Sequence, residues 1–206
     1  MNPESSLPEL LEQARQGRPE AVARLFDSHR ACLRRAILLR LDRRVAARVD
    51  ASDVLQETYL EAARRLPDYL ANPPLPFDLW LRWLAREQVL MCHRRHLGAD
   101  KRAATREVGP LPAESSAQFV SAFAGRGSSP SQHLAAVEIA ERLRQALQQL
   151  SEEERDLILW RHFEQLSTRE VAQLLQITDA AASKRYVRAL ERLRELLINL
   201  GISGPT

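Results

Sequence analysis

The chain has few cysteines and no long apolar run, which argues against a disulfide-bonded or membrane-spanning protein. Two cysteines in 206 residues are too few for a disulfide framework. No apolar run approaches the roughly 20 residues that cross a bilayer. The segment Met1 to Pro8 lacks the basic and apolar regions of a signal peptide, so we expect a cytoplasmic protein with no membrane contact. Nothing in the composition calls for a cofactor.

Charge is small overall but unevenly distributed. The net charge is +3, whereas residues 1–106 hold 19 Lys and Arg against 14 Asp and Glu, and residues 131–200 hold 10 against 11. Because basic surfaces attract polyanions, the excess in the N-terminal half indicates contact with nucleic acid. Nearly all the cations are arginine, which suits bidentate phosphate contacts but also follows from a biased genomic base composition.

The last third of the chain has the pattern of two short helices, a tight turn and a long helix. Ser151 with Glu154, and Ser167 with Glu170, each place a hydroxyl at a helix start and a carboxylate three residues later, as in a capping box. Thr178 can cap the third helix. Along that helix apolar residues recur at steps of three and four, and we expect them to be buried: Ala182, Tyr186, Leu190, Leu193, Leu197 and Leu200.

The opposite face of this third helix carries what a DNA-recognition helix needs. Small residues near its N-terminus allow entry into a major groove, and cations one turn later meet phosphates. The candidate DNA-binding residues are Ala180, Ala181, Ser183, Lys184, Arg185 and Arg188. A solvated helix face has a similar composition, but the two capping boxes and the turn favour a helix-turn-helix. We predict Ala181 and Arg185 near base edges, and Lys184 and Arg188 on phosphates.

Three amphipathic helices are predicted in the N-terminal half. The first covers residues 19–41, the second covers residues 50–66 and is expected to stop at Pro67, and the third covers residues 78–97. The stretch Tyr69 to Phe77 contains three prolines, so a stiff loop without helix is expected there.

Glycine, proline and serine concentrate in residues 98–130, a composition that buries too little apolar surface to form a core. We therefore predict two small all-α domains, residues 1–97 and 131–206, joined by a flexible linker. Within the linker, Ser116–Phe123 forms either a short helix or a hydrophobic tether to one domain. A further helix is expected from Pro130 to Leu150.

Three segments, taken in order, resemble regions two and four of an extracytoplasmic-function (ECF) sigma factor of the sigma-70 family. They are residues 50–66 (DASDVLQETYLEAARRL), 77–96 (FDLWLRWLAREQVLMCHRRH) and 150–197 (LSEEERDLILWRHFEQLSTREVAQLLQITDAAASKRYVRALERLRELL). The resemblance implies a bacterial initiation factor that binds the clamp helices and flap of core RNA polymerase and directs it to promoter DNA. It also implies that the protein is not an enzyme, and that an anti-sigma factor or another regulator can restrain it.

The resemblance also assigns roles to residues of the N-terminal half. The second helix would present Asp53, Gln56 and Glu57 to the clamp helices, where a solvated helix face is the alternative. The loop before the third helix would contact the unpaired strand of the minus-10 element, since a stiff loop can pocket an extruded base. The implied minus-10 residues are Asn72, Phe77, Trp80, Arg82, Trp83, Arg86, Arg94 and Arg95. The spacing of Trp80 and Trp83 favours core packing over stacking, so the arginines are the better phosphate ligands.

Three features depart from the family pattern. Glu87 and Met91 stand where many members have Asn and Asp in the third helix. Gln176 stands in the turn where Gly is usual, so it must adopt or avoid a left-handed backbone at some cost. Residues 183–185 read Ser-Lys-Arg where the order basic-Ser-Arg is usual. Sequence preferences for the minus-10 and minus-35 elements therefore cannot be transferred.

Three other functions fit parts of the sequence. A metalloenzyme would use Cys92, His93, His96 and Asp100, although two or three such ligands without a second cluster rarely form a site. A helix-turn-helix regulator with a helical sensor or dimerisation module explains the C-terminal part but not the basic third helix. The third alternative is an all-helical adaptor or anti-sigma protein, for which no affinity for DNA is expected.

Overall fold

The computed structural model describes residues 6–100 and 130–202, and every regular element in these ranges is helical. The N-terminal unit (residues 6–100) contains α1 (Leu7–Arg15), α2 (Pro19–Arg40), α3 (Arg43–Ala46), α4 (Ala51–Ala71) and α5 (Phe77–Asp100). The C-terminal unit (residues 130–202) contains α6 (Pro130–Gln149), α7 (Glu152–Ile158) with a π turn (Leu159–Phe163), α8 (Thr168–Leu175) and α9 (Asp179–Asn199). The predicted all-α class is confirmed. Across both ranges, none of the helices combines the length and the apolar character of a membrane span.

Helix α1 was not among the predicted helices. It starts with a capping box in which the Glu9 carboxylate accepts the Ser6 amide at 3.0 Å. Leu10 and Ala14 are buried against the rest of the N-terminal unit. A helix of nine residues is marginal by itself, so its stability comes from this docking.

Helices α2, α4 and α5 pack around one hydrophobic core, because each has an apolar stripe at helical spacing. The main contributors are Ala21, Leu25, Leu33, Ile37, Val54, Leu55, Ala62, Leu66, Trp80, Leu81, Leu84 and Val89. The packing leaves one face of α4 and the C-terminal half of α5 partly open to solvent.

Helix α4 continues through Pro67, so the prediction that this proline ends the helix was wrong. Proline leaves the carbonyl of residue 63 without a helical donor, but Ala63 is exposed and water can satisfy it. The last turn is held by Tyr69, which is buried and donates its hydroxyl to the Leu75 carbonyl at 3.1 Å. Its ring stacks on Trp80 at 4.5 Å between centroids. Aromatic packing thus outweighs one lost hydrogen bond, and the loop begins only after α4.

The C-terminal helices begin where the sequence predicted. The Glu154 carboxylate accepts the Ser151 amide at 2.9 Å, and the Glu170 carboxylate accepts the Ser167 amide at 2.6 Å. The serine hydroxyls accept the Glu154 and Glu170 amides in return, so both capping boxes are confirmed. Gln176 ends α8 with φ 54° and ψ 43°, a left-handed conformation. Gln176 therefore adopts the left-handed backbone that a residue can adopt or avoid in such a turn, at a cost of about 1 kcal/mol for a residue with a Cβ.

The two units share hydrophobic clusters. Leu39 of α2 belongs to the cluster formed by α6, α7 and α9. Leu79 of α5 is fully buried against Trp160, Val171 and other residues of the C-terminal unit. Residues 98–100, assigned to the linker from the sequence, belong to α5. The rest of that segment, with the possible helix Ser116–Phe123, lies outside the described residues.

Candidate nucleic-acid interface

The helix-turn-helix consists of α8, the left-handed turn at Gln176 and α9. The Thr178 hydroxyl accepts the Ala181 amide at 3.2 Å, which confirms the predicted cap at the start of α9. Ala182 is buried and fixes the rotation of the helix against α8 and α7. The opposite face is exposed at Ala180, Ser183, Lys184, Arg185 and Arg188, while Ala181 is half-buried. The structure therefore brings all six candidate DNA-binding residues of α9 to one surface.

The cations on this surface differ in their partners. Arg185 forms an ion pair with Glu153 at the start of α7, and both side chains are about half exposed. Lys184 and Arg188 are paired with no acidic residue among those the structure describes. Lys184 and Arg188 are thus available for phosphates as they stand, whereas Arg185 must leave Glu153 before it can contact a base.

The proline loop between α4 and α5 rests on an aromatic cluster. Phe77 and Trp80 are 5% and 4% exposed, and Tyr69 contacts both rings. Asn72 at the end of α4 is exposed. Trp83 is half-buried beneath the Arg65 guanidinium, 5.7 Å from its ring centroid. Phe77 and Trp80 therefore support the loop from below, and the exposed loop residues form the accessible surface.

The four arginines predicted for phosphates of the minus-10 element fall into two pairs. Arg94 and Arg95 are exposed, and Arg95 forms an ion pair with Glu57 at 3.1 Å. Arg82 and Arg86 are largely buried and pair with acidic residues of the C-terminal unit. Only the first pair is accessible to DNA in this arrangement.

The free face of α4 carries the residues that the resemblance assigns to polymerase. Asp53 and Gln56 are exposed, and the Glu57 side chain is 43% exposed beside Arg95. Leu60, one turn further along, is 59% exposed. Leu60 was not among the predicted site residues, although it lies seven residues after Asp53 and therefore on the same face of α4.

Two of the residues considered for a metal site, Cys92 and His93, are buried in the N-terminal unit. His93 is buried, and its Nε2 accepts the Asp42 amide at 3.0 Å. Burial lowers the pKa of His93 and raises the pKa of the Cys92 thiol, so both are neutral near pH 7. In the part of the chain with described side chains, no three His, Cys, Asp or Glu residues come together as metal ligands would.

Comparison with known proteins identifies relatives over most of the chain. Residues 140–193 match the family described as Sigma-70, region 4. The chain is 31% identical to RNA polymerase sigma factor CarQ of Myxococcus xanthus, over 91% of this chain and 95% of that protein. It is 29% identical, over 79% of its length, to the probable RNA polymerase sigma factor RfaY of Xanthomonas campestris pv. campestris, and it covers 37% of that protein.

Two solved structures share the fold. CnrH in complex with the cytosolic domain of CnrY aligns with a TM-score of 0.58 at 22% identity, over 92% of this chain and 96% of that chain. The sigma factor RpoE in complex with the anti-sigma factor NepR, from Bartonella quintana, aligns with a TM-score of 0.52 at 20% identity, over 86% and 94% of the two chains.

Proposed function

The chain belongs to the sigma-70 family of RNA polymerase sigma factors, and from this premise we propose that it recruits core polymerase to promoters of its own class. The observation that carries the proposal is the α9 surface, where Lys184 and Arg188 stand exposed beside small residues at the start of a capped helix. The similarity to a sigma factor over 95% of that protein's length supports it. We keep residues 1–97 and 131–206 as the proposed domains.

In the C-terminal unit, α9 would enter the major groove of the minus-35 element. Ala180, Ala181 and Ser183 are small enough for close approach, and Arg185 reaches base edges after it leaves Glu153. Lys184 and Arg188 would fix the helix on the phosphate backbone without reading sequence.

In the N-terminal unit, the proline loop and α5 would bind the opened minus-10 element. Asn72 lies at the exposed edge of the loop, and the rings of Phe77 and Trp80 hold that edge in place. Arg94 and Arg95 extend the site with accessible positive charge. An extruded base requires a rigid binding surface, because movement of the loop would break the stacking contact of the bound base.

Core polymerase would dock on the free face of α4. Asp53, Gln56 and Glu57 supply polar and acidic groups there, and Leu60 supplies an apolar centre. Protein interfaces commonly have an apolar centre and a polar rim, and Leu60 with its polar neighbours fits that arrangement. We expect the protein to act in the cytoplasm, to have no catalytic activity of its own, and to be subject to a regulator such as an anti-sigma factor.

The proposal is tested by run-off transcription. Core polymerase is combined with the full chain on fragments of the genome of origin, and the same reactions are run without the chain. New transcripts that begin at defined positions only when the chain is present are the expected result. If the chain neither co-purifies with core polymerase nor yields such transcripts, the alternative of a helix-turn-helix regulator replaces it.

A further inference from the structure

Two acidic residues of the C-terminal unit lie among three arginines of the N-terminal unit. Asp156 accepts a hydrogen bond from Arg40 Nε at 2.9 Å and pairs with Arg86. Glu164 lies 2.7 Å from Arg40 Nη1 and 3.1 Å from Arg82 Nε. The Asp156 and Glu164 side chains are 6% and 3% exposed. These five residues, which we call the interunit ion cluster, hold α2 and α5 against α7 and its π turn.

Trp160 fills the space beneath the interunit ion cluster. It is 1% exposed, and its ring centroid lies 5.7 Å from the Arg40 guanidinium and 6.0 Å from that of Arg86. Glu164 follows Trp160 by four residues at the end of the π turn, so the two side chains lie on the same side of this segment. Cation–π contacts and ion pairs therefore act at one place.

The hydrogen bonds of the interunit ion cluster are incomplete. The Arg40 Nη2 and Trp160 Nε1 atoms are buried without a hydrogen-bond partner among the described residues. Arg82 and Arg86 also pair with Asp78 and Glu87 of their own helix α5. The attraction within a buried ion pair exceeds only slightly the free energy that is needed to remove its two charges from water. We call the arrangement in which the two units pack together through this cluster the closed arrangement. It is consequently held by an interaction that a competing anion can replace at little cost.

The closed arrangement also covers the proposed minus-10 surface. Arg82 and Arg86 are two of its four candidate phosphate ligands, and each now faces a carboxylate. Leu75 of the proline loop and Trp83 pack against the cluster that contains Leu174 of α8. A cleft of about 820 Å³ remains between the loop and α8, lined by residues of both units. The helix-turn-helix thus sits over the loop that would receive the DNA strand.

We propose that Asp156 and Glu164 act as internal substitutes for promoter phosphates. By pairing with Arg82 and Arg86 they keep the free chain closed and lower its affinity for minus-10 DNA until the two units separate. The inference rests on the proposed function for the identity of the DNA, but the autoinhibitory contact is defined by the chain itself. It assigns Arg40, which reaches both acids, to positioning the contact and not to binding DNA.

The test compares the full chain with its Asp156→Asn/Glu164→Gln variant, in which amides of the same shape replace the carboxylates. The variant is expected to show a larger radius of gyration by small-angle scattering and at least tenfold tighter binding of a fluorescent single-stranded DNA oligonucleotide of randomised sequence. Glu191→Gln/Glu195→Gln is the matched control, since it makes the same charge change on exposed positions of α9. If both double variants tighten binding equally, net charge is the cause and the proposal is overturned.

A second variant and a measurement on the unmodified chain exclude simple unfolding. Arg40→Met removes the shared cation without altering any proposed DNA ligand, and it should open the units with helical circular dichroism retained. Hydrogen exchange of the wild-type chain should show residues 152–163 protected when free and less protected in complex with core polymerase. Unchanged protection overturns the proposal even where both variants fold poorly.

The same experiments separate this inference from the proposed function. In the presence of core polymerase, wild type and the Asp156→Asn/Glu164→Gln variant should give equal run-off transcripts, because the polymerase complex is already open. If no form gives transcripts, the proposed function fails. If all forms give transcripts but the free chain binds DNA with unchanged affinity after both substitutions, only the inference fails.

Discussion

Replacement of three neighbouring cations on α9 should have two distinct effects on promoter recognition. Lys184→Ala and Arg188→Ala are expected to weaken minus-35 binding on all sequences alike, because exposed cations on the later turns meet the phosphate backbone. Arg185→Ala is expected to change the preferred sequence, because Arg185 lies one turn after Ala181 on the same side of α9, and we predict that this side of the helix faces the base edges.

The magnitudes follow from the environment of each side chain. Each lost phosphate contact should reduce the slope of log affinity against log salt by about one. A bidentate arginine contact to guanine is worth about 1–3 kcal/mol, or roughly 5- to 150-fold at one or two base pairs. The ion pair that ties Arg185 to Glu153 is about half exposed on both sides and worth at most about 1 kcal/mol. Glu153→Gln should therefore strengthen binding by no more than about fivefold, with the preferred sequence unchanged.

The assay is selection from a randomised minus-35 duplex with polymerase reconstituted with each variant, followed by titration at several salt concentrations. Wild type and Lys184→Ala should select one motif, and Arg185→Ala should select a relaxed one. If Arg185→Ala selects the wild-type motif with only lower affinity, then Arg185 is a phosphate ligand. The assignment along α9 would then be shifted by one residue.

Three further predictions concern the N-terminal unit. Asp53→Arg with Glu57→Arg should weaken assembly with core polymerase about a hundredfold and leave the melting temperature within a few degrees, whereas reversal of exposed Glu12 should change neither. Burial lowers the pKa of His93 below that of the unfolded chain, so protons bind more to the unfolded state and stability falls as the pH drops below about 6.5; thermal unfolding of His93→Gln should show a smaller drop. Trp80→Ala should cost about 3–5 kcal/mol in chemical denaturation, and Trp80→Phe much less, because the ring supports the proline loop; an equal cost for both would contradict this.

The sequence was sufficient for what depends on local pattern. The hydroxyl and carboxylate spacing at Ser151 and Ser167 placed two helix starts. The steps of three and four along α9 placed its buried side only in part. Ala182 and Leu193 are buried as predicted, whereas the other predicted residues are half-buried and the buried Ala189 and Leu196 were not predicted. Local rules failed at Pro67, because the stacking of Tyr69 on Trp80 is a tertiary contact that no window around the proline contains. The same reason accounts for α1, which is stabilised by what it docks on.

The contact between the units could not be predicted from periodicity. Arg40 and Asp156 are separated by 116 positions, and each is an ordinary charged residue in its own helix. Arg82 and Arg86 were assigned to phosphates because they are cations on a basic helix, and the structure shows that carboxylates can take the same place. A pattern of charges identifies the chemistry a side chain can offer but not which partner holds it.

The left-handed turn at Gln176 has a consequence for the entropy of DNA recognition. A glycine there would adopt the same backbone more easily, but it would also explore many others, so the angle between α8 and α9 would vary in the free protein. A residue with a side chain narrows that range before any DNA is present. The conformational entropy of the turn at Gln176 is then lost during folding, so less entropy is lost when α9 enters the groove.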